Sequence, residues 1–301
     1  MSHAPLALAA YLLDRFFGEF PLTHPVVWMG RYIAWFERVF YADSVFRGGI
    51  LTLSLLAIVG GIVSPVSAGV AYLPEWAGFA VIALLASTGL AFRMLGESVR
   101  GVLASDDPKA AVAMLVSRDT AGMSESDVNK ALVETYAENL SDGVVAPLFW
   151  LLVAGLPGIA LYKAVNTLDS MVGYRTARYE RFGKVSARLD DLLNWIPARL
   201  TLLLILSVSF SRAALRAVRQ SAAGHESPNA GYPIAAMAGA VGVALGGPTS
   251  YDGKVKNKPF FGEGRREITR SDVHAALRLG AKIDGLLVII LLILAGTEWL
   301  G

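Results

Sequence analysis

Long, nearly uncharged apolar runs constrain this 301-residue chain more than any other feature. A helix needs about 20 apolar residues to cross the hydrocarbon core of a bilayer, and 17 to 25 are acceptable. Five runs come close to this length, and we predict that all five are inserted in a membrane: 49–72, 76–92, 143–162, 195–210 and 283–300. Charged residues make up only 17% of the chain, against about 25% in soluble proteins. The chain is therefore predicted to be an all-α, polytopic membrane protein with helical and loop segments on the cytoplasmic side, forming a single integral-membrane domain over 1–301.

Charge and cysteine content exclude several classes of function. The formal net charge of +2 argues against a strongly basic nucleic-acid binder and against an acidic disordered tail. The sequence contains no cysteine, which excludes disulfide scaffolds, thiolate zinc sites and cysteine nucleophiles. Any catalytic chemistry must therefore come from other side chains.

Two of the five apolar runs are not simple spans. The first two runs are simple spans and predict a transmembrane hairpin, because only the turn at 73–75 separates them. By contrast, the run at 143–162 contains a turn signal at Gly155–Gly158. Basic segments precede and follow this run, as expected if both of its ends face the cytoplasm. The run at 195–210 is short and begins with Pro197 and Arg199. We favour three full spans and two partial, re-entrant insertions; five ordinary spans with polar segments on both sides are the alternative.

Carboxylates recur at helical spacing directly before the third apolar run. Glu134, Glu138 and Asp142 follow one another every four residues and would lie on one face of a helix. Like charges at this spacing repel, so the arrangement favours a nearby cation. Carboxylate oxygens suit Mg²⁺, which usually keeps water and substrate phosphate as its other ligands. The alternative is the solvated acidic face of a surface helix.

A second polar segment follows the same run. Asn166 and Asp169 share a helix face, and arginines follow at 175, 178 and 181. Three guanidinium groups in a row suit phosphate, although they would equally serve as a positive-inside anchor on lipid headgroups.

The third segment leads into the fourth run and carries Asp190, Asp191, Asn194 and Arg199. A charged side chain at the centre of a membrane helix costs about 2.5 to 3.5 kcal/mol, so such residues are functional candidates by default. Internal ion pairing, for example of Arg199 with Asp191, is the competing structural account.

Glycine and proline mark the fourth polar segment, in 227–233 and 246–251. Residues of these types form turns whose backbone N–H groups can bind an anion, although plain turns would have the same composition. No nucleotide-binding glycine motif of the Walker type and no histidine-based zinc motif is present in the sequence.

Together these segments resemble the membrane-bound adenosylcobinamide-phosphate synthase family of cobalamin biosynthesis (CbiB/CobD type). The resemblance runs nearly end to end and is carried by 24–31, 138–149, 166–174, 187–191, 196–201, 227–233 and 246–248. A sister family of AmpE-like membrane sensors shares the overall arrangement of these segments but has lost parts of the acidic motifs. This chain keeps those motifs.

The resemblance implies an amide ligation in the cell inner membrane. The substrates would be adenosylcobyric acid, which is a corrinoid, and an amino-alcohol phosphate such as aminopropanol phosphate, with ATP as co-substrate and Mg²⁺ as cofactor. The product would be adenosylcobinamide phosphate, and other membrane-bound enzymes of the pathway would be partners, as would membrane lipid. Two other functions remain open: a non-catalytic sensor or scaffold, and a small-molecule transporter with broken helices.

The resemblance also implies roles for particular residues. The metal ligands would be Glu134, Glu138, Asp142 and Asp169. The catalytic residues would be Asp190, Asp191 and Arg199. The substrate-binding residues would be His24, Asn166, Tyr174, Arg175, Asn194, Ser227, Asn229 and Tyr232. From its spacing alone, His24 before Pro25 is more typical of a turn residue.

Overall fold

The fold is described from a computed structural model over residues 3–18, 24–251 and 253–300, with side chains described as far as residue 297. These residues form thirteen α-helices and four short strands. The helices are α1 (His3–Phe17), α2 (Pro25–Phe40), α3 (Val45–Gly69), α4 (Glu75–Ser87), α5 (Phe92–Ala104), α6 (Pro108–Ala113), α7 (Glu125–Leu140), α8 (Ala146–Val172), α9 (Lys184–Leu193), α10 (Trp195–Ser209), α11 (Arg212–Ser221), α12 (Gly231–Val241) and α13 (Arg270–Leu300). The strands are β1 (Leu245–Gly246), β2 (Thr249–Tyr251), β3 (Lys254–Lys256) and β4 (Phe260–Phe261).

The predicted polytopic, all-α architecture is confirmed. Four helical segments are long and apolar enough to cross a membrane: Val45–Tyr72, Glu75–Ala104, Glu125–Val172 and Arg270–Thr297. Helices α9 and α10 make a fifth candidate when counted together, although the chain bends between them. Each of the five predicted insertions overlaps one of these segments over most of its length. The run at 195–210 is one half of the bent fifth candidate.

The chain is divided into two compact units, each built from separated stretches of sequence. The first unit comprises Met1–Ala91, Ala146–Asn194 and Leu291–Gly301, and the second comprises Phe92–Val145 and Trp195–Ile290. The prediction of one integral-membrane domain over 1–301 stays a prediction.

The predicted break in the third apolar run lies in α8. Ala154 leaves the helical region with φ −136°, and Gly155 takes φ +61° and ψ −152°, a conformation that favours glycine. A Cβ atom placed on Gly158 would lie 2.3 Å from the carbonyl oxygen of Trp150. Gly158 follows Trp150 by eight residues, which in a straight helix would place them about 12 Å apart. Their close approach therefore shows that the two arms of α8 are folded sharply towards each other. This bend supports the re-entrant arrangement, which remains a prediction.

In the first unit the core forms where α3 packs on α8 and α9 and where α2 packs on α8. Its fully buried side chains include Ile33, Leu51, Leu55, Leu168 and Phe182. Helix α4 packs chiefly on α1. The turn at 73–75 joins α3 to α4, which follow one another as predicted. However, α3 packs mainly on α8 and α9, and α4 packs mainly on α1.

The close approach of α3 to the segment before α9 makes a glycine obligatory. A Cβ atom on Gly48 would lie 1.6 Å from the backbone oxygen of Phe182, whereas one on Gly49 would meet only Val185 Cγ2 at 3.7 Å. We expect Gly48→Ala to lower the free energy of unfolding by about 1 to 3 kcal/mol through overpacking. Thermal unfolding in detergent measures this effect. Gly49→Ala is the matched control, and equal losses for the two variants would contradict the packing argument.

In the second unit, α12 packs on α7, α10 and α11. Strands β2 and β3 form an antiparallel hairpin with Tyr251 opposite Lys254, and β1 pairs with β4. The sequence predicted turns here, and Gly246 and Gly247 do have φ values of +75° and +80°. The short strands beside them were not predicted.

Candidate functional site

In the first unit, the polar side chains that the sequence singled out gather around Asp190. This carboxylate is only 8% exposed. It accepts hydrogen bonds from Asn194 Nδ2 at 2.9 Å and from Asn166 Nδ2 at 3.4 Å. Asn194 in turn accepts a hydrogen bond from the hydroxyl of Tyr162 at 2.9 Å. Asp190 and Asn194 lie one helical turn apart at the end of α9, and their partners Asn166 and Tyr162 both lie on α8.

Two further carboxylates lie near enough to Asp190 to interact with it. Asp169 and Asp191 both interact electrostatically with Asp190. The Asp169 carboxylate lies against the backbone of Gly173, where a Cβ atom would be 1.9 Å from Oδ1. Five predicted site residues of the first unit, namely Asn166, Asp169, Asp190, Asp191 and Asn194, are thus brought together. We call them the Asp190 cluster.

The remaining predicted residues of the first unit are His24, Tyr174 and Arg175. Tyr174 is 44% exposed, and Arg175 is also exposed. His24 Nδ1 accepts a hydrogen bond from the backbone N–H of Val26 at 3.2 Å and so caps α2. The two other arginines of the predicted row are held by carboxylates: Arg178 lies 2.9 Å from Glu37, and Arg181 lies 4.0 Å from Asp43.

In the second unit, Glu134 joins a buried ion pair to a glycine turn. Its Oε2 accepts a hydrogen bond from Arg118 Nη2 at 2.5 Å, and its Oε1 accepts one from the backbone N–H of Gly246 at 2.5 Å. The two side chains are only 13% and 9% exposed. Burial alone would lower the pKa of the Arg118 guanidinium, but the adjacent Glu134 carboxylate raises this pKa above its usual value. The Arg118 guanidinium therefore keeps its positive charge at physiological pH.

A second carboxylate, that of Asp119, binds the segment that follows Gly246. Asp119 Oδ2 accepts hydrogen bonds from the hydroxyl of Ser250 at 2.5 Å and from the N–H of Gly253 at 2.8 Å. A cavity of about 240 Å³ lies beside these contacts, lined in part by Arg118, Lys130 and Thr249. Arg118 and Asp119 were not singled out from the sequence, because they stand in an irregular segment with no periodic neighbours.

The other predicted carboxylates of this unit flank a π-helical turn. Ser141–Val145 is π-helical and joins α7 to α8, a feature that is frequent at functional sites. Glu138 and Asp142 are half-buried on either side of Ser141. The hydroxyl of Ser141 is buried and has no hydrogen-bond partner among the described residues. Within the same residues, no three histidine or carboxylate side chains are already arranged as a metal site.

Arg199 is the centre of a third cluster, also in the second unit. Its guanidinium donates hydrogen bonds to Asn229 Oδ1 at 2.6 Å and to the carbonyls of Trp195 and Pro228 at 3.0 and 3.3 Å. It also lies over the ring of Tyr232, 4.2 Å from the centroid, and over that of Trp195 at 4.9 Å. All of these partners are neutral, so the positive charge is positioned without being cancelled by them.

The loop that carries Asn229 is ordered by its own side chains. Ser227 Oγ accepts hydrogen bonds from the N–H groups of Asn229 and Ala230 at 3.2 and 3.3 Å. The N–H of Ser227 donates to His225 Nδ1 at 3.1 Å. Burial, together with the charge of Lys258, lowers the pKa of His225, which keeps its imidazole neutral and able to accept this hydrogen bond. Arg199, Ser227, Asn229 and Tyr232 are thus brought together.

Fold and site together define a multi-pass α-helical membrane protein with buried clusters of carboxylate, amide and guanidinium groups. A family model described as CobD/Cbib protein matches residues 7–280. The chain therefore belongs to the CobD/Cbib family, as the resemblance in its motifs implied. This membership supports a role in cobalamin biosynthesis.

Similar curated proteins cover nearly the whole chain. Cobalamin biosynthesis protein CobD of Rhodobacter capsulatus is 47% identical over 248 residues, which is 80% of this chain and 79% of the relative. The protein of the same name from Geobacter metallireducens is 43% identical over 301 residues, covering 95% and 94%. That from Klebsiella pneumoniae is 40% identical over 288 residues, covering 90% of each. No solved structure is significantly similar to this chain.

Proposed function

We propose that this chain is an ATP-dependent carbon–nitrogen ligase that forms adenosylcobinamide phosphate from adenosylcobyric acid and an amino-alcohol phosphate. The observation that carries the proposal is the family match over residues 7–280, within which the buried Asp190 cluster lies. We place the protein in the inner membrane with its site facing the cytoplasm, because lysine and arginine are concentrated in the segments 93–142 and 163–188.

The chemistry requires an activated acid and a deprotonated amine. The propionate carboxylate of the corrinoid is a poor electrophile. One of its oxygens would form a bond to the terminal phosphorus of ATP while the bond from that phosphorus to ADP breaks, which gives an acyl phosphate. The amine nitrogen then forms a bond to the carbonyl carbon, the carbon–oxygen bond to the leaving phosphate breaks, and the nitrogen gives up its proton. Asp190 or Asp191 would accept that proton. The amides of Asn166 and Asn194 hold Asp190 in place for this role.

Mg²⁺ fits the donor atoms around the π-helical turn. Glu138 and Asp142 offer carboxylate oxygens there, and the buried hydroxyl of Ser141 lacks a partner among the described residues. Hard oxygen ligands of this kind are those that Mg²⁺ prefers, and the ion would neutralise charge on the nucleotide phosphates. The family resemblance also assigns a metal-binding role to Asp169, which belongs to the Asp190 cluster of the first unit. Glu134 suits this role less well, since Arg118 and Gly246 already engage both of its oxygens.

The Arg199 cluster would bind the phosphate of the amine substrate or polar side chains of the corrinoid. The guanidinium is held by neutral groups, so an anion can add to it without displacing a carboxylate partner. Ser227, Asn229 and Tyr232 would complete this part of the binding site.

We expect Arg199→Lys to raise the KM for the amino-alcohol phosphate about tenfold or more while kcat changes little. The ammonium keeps the charge but loses the forked geometry, and a hydrogen bond to a charged group is worth about 1.5 to 3 kcal/mol. Steady-state kinetics with the amine substrate varied measures the effect. Arg212→Lys, on an exposed position of the same unit, is the control. A loss confined to kcat would contradict a binding role.

The reaction itself is tested with purified full-length protein in detergent. Adenosylcobyric acid, aminopropanol phosphate, ATP and Mg²⁺ should give adenosylcobinamide phosphate with release of ADP, detected by mass spectrometry. A series of other amino-alcohol phosphates serves to identify the preferred donor. If no donor gives product although the corrinoid binds, the ligase proposal fails and a scaffold or transport role is favoured.

A further inference from the structure

The first unit contains a cavity of about 530 Å³ whose lining includes no residue of the Asp190 cluster. Helices α2, α3, α4 and α8 line it. Its volume lies within the range of about 300 to 1,000 Å³ that is typical of ligand sites. Its lining is almost entirely apolar and includes Trp28, Leu55, Ile62, Leu85 and Ile159.

The groove opens where lipid chains are expected. Helices α3 and α4, and the second arm of α8, belong to segments that are apolar and long enough to cross a membrane. Ile58 and Ile62 on one wall are 42% and 60% exposed, and Leu85 on another is 39% exposed. The lining residues of α3 run from Leu55 to Val66, a length of about 16 Å of helix. The walls are thus apolar and elongated, and they open to the surroundings of the spans.

The α8 wall ends in a cation. Leu156, Ile159, Ala160 and Lys163 line the groove and share one helix face, with Lys163 last in the series. A lysine in an apolar segment of a membrane helix is costly and marks a functional site by default. An apolar wall that ends in an ammonium group is complementary to an amphiphile with a chain and an anionic head.

The helix that covers the groove has the character of an interfacial helix. With 16 residues, α2 is too short to span, and it exposes Trp28 and Trp35 to 60% and 44%. Arg31 lies over the ring of Trp28, 5.1 Å from the centroid. Tryptophan and arginine on one exposed face are typical of the headgroup region of a membrane.

We propose that this groove is a binding site for an anionic membrane phospholipid, with an acyl chain along α3 and α8 and the phosphate at Lys163. The proposal does not depend on the ligase reaction, because lipid binding is its readout. A corrinoid substrate is the competing occupant, since His24 also lines the groove and was assigned to substrate binding by the family resemblance.

The test is native mass spectrometry of the full-length protein in detergent, titrated with dioleoyl phosphatidylglycerol or dioleoyl phosphatidylcholine. We expect phosphatidylglycerol to bind at least fivefold more tightly. Lys163→Gln should lower its affinity to that of phosphatidylcholine, whereas Lys184→Gln, an exposed lysine of the same unit, should change nothing. Ala160→Phe, which fills the groove, should weaken both lipids at least tenfold. Ile58→Trp serves the same purpose at a more exposed position if Ala160→Phe does not fold.

Two results would overturn the proposal. One is unchanged phosphatidylglycerol affinity in both Lys163→Gln and a folded groove-filling variant. The other is displacement of the bound lipid by adenosylcobyric acid in direct competition, which would assign the groove to the substrate. Glycerol phosphate, which carries the head without the chains, should not displace the lipid.

Discussion

The substitution Asp190→Asn is expected to lower kcat about 10²- to 10⁴-fold with little change in KM, which is the contribution of a well-placed general base. Asparagine has nearly the same shape as aspartate, so the amide can remain in the pocket formed by Asn166 and Asn194. It cannot accept the proton that the amine nitrogen gives up when the amide forms. Single-turnover kinetics of the ligation, with both substrates saturating, isolates this step.

Stability separates a chemical role of Asp190 from a structural one. The variant loses one hydrogen-bond acceptor, but it also removes a buried negative charge that interacts with Asp169 and Asp191. These effects oppose each other, so we expect a melting temperature within a few degrees of the original. Asp43→Asn, at an exposed position of the same unit, is the control for activity. A strongly lowered melting temperature together with an unchanged kcat of the folded Asp190→Asn protein would assign this residue to structure alone.

The parts of the site that could be predicted from the sequence are those that helical spacing brings together. Asp190 and Asn194 are four residues apart at a helix boundary, and their hydrogen bond follows from that spacing. The break at Gly155 was visible because glycine and proline interrupt an apolar run there. The spans were visible because their length and lack of charge are set by the bilayer.

Contacts between distant segments could not be predicted in this way. Glu134 is bonded to Arg118, 16 positions earlier, and to Gly246, 112 positions later. Spacing on α7 places Glu134 with Glu138 and Asp142 but carries no information on these partners. Strands of two or three residues are too short to show a period, which is why the pairing of β1 with β4 and of β2 with β3 was missed. Packing of α4 on α1 is likewise set by the tertiary fold.

The ion pair of Arg118 and Glu134 leads to the second large effect. We expect Glu134→Ala to reduce the free energy of unfolding by about 3 to 5 kcal/mol, because it leaves the Arg118 guanidinium buried without its partner. It also leaves the N–H of Gly246 without an acceptor. Arg118→Ala should cost a similar amount, and the double variant should cost much less than the sum. Chemical denaturation in detergent supplies the four free energies, and hydrogen exchange over 243–262 reports loosening of the glycine turn.

The exposed pair of Arg93 and Glu97 in the same unit is the matched control. Its side chains are 40% and 57% exposed, and the same cycle there should give a coupling energy of about 0.3 to 0.5 kcal/mol. Comparable coupling in the two pairs would contradict a buried structural role for Glu134.

The Mg²⁺ dependence of activity provides a second criterion. If Glu134 only positions the Gly246 turn, the Mg²⁺ concentration for half-maximal activity is unchanged in Glu134→Gln, whereas loss of a metal ligand shifts that concentration. Asp142→Asn should shift that concentration if Mg²⁺ is held at the π-helical turn, so the two variants together separate the carboxylate that supports the loop from the one that holds the ion.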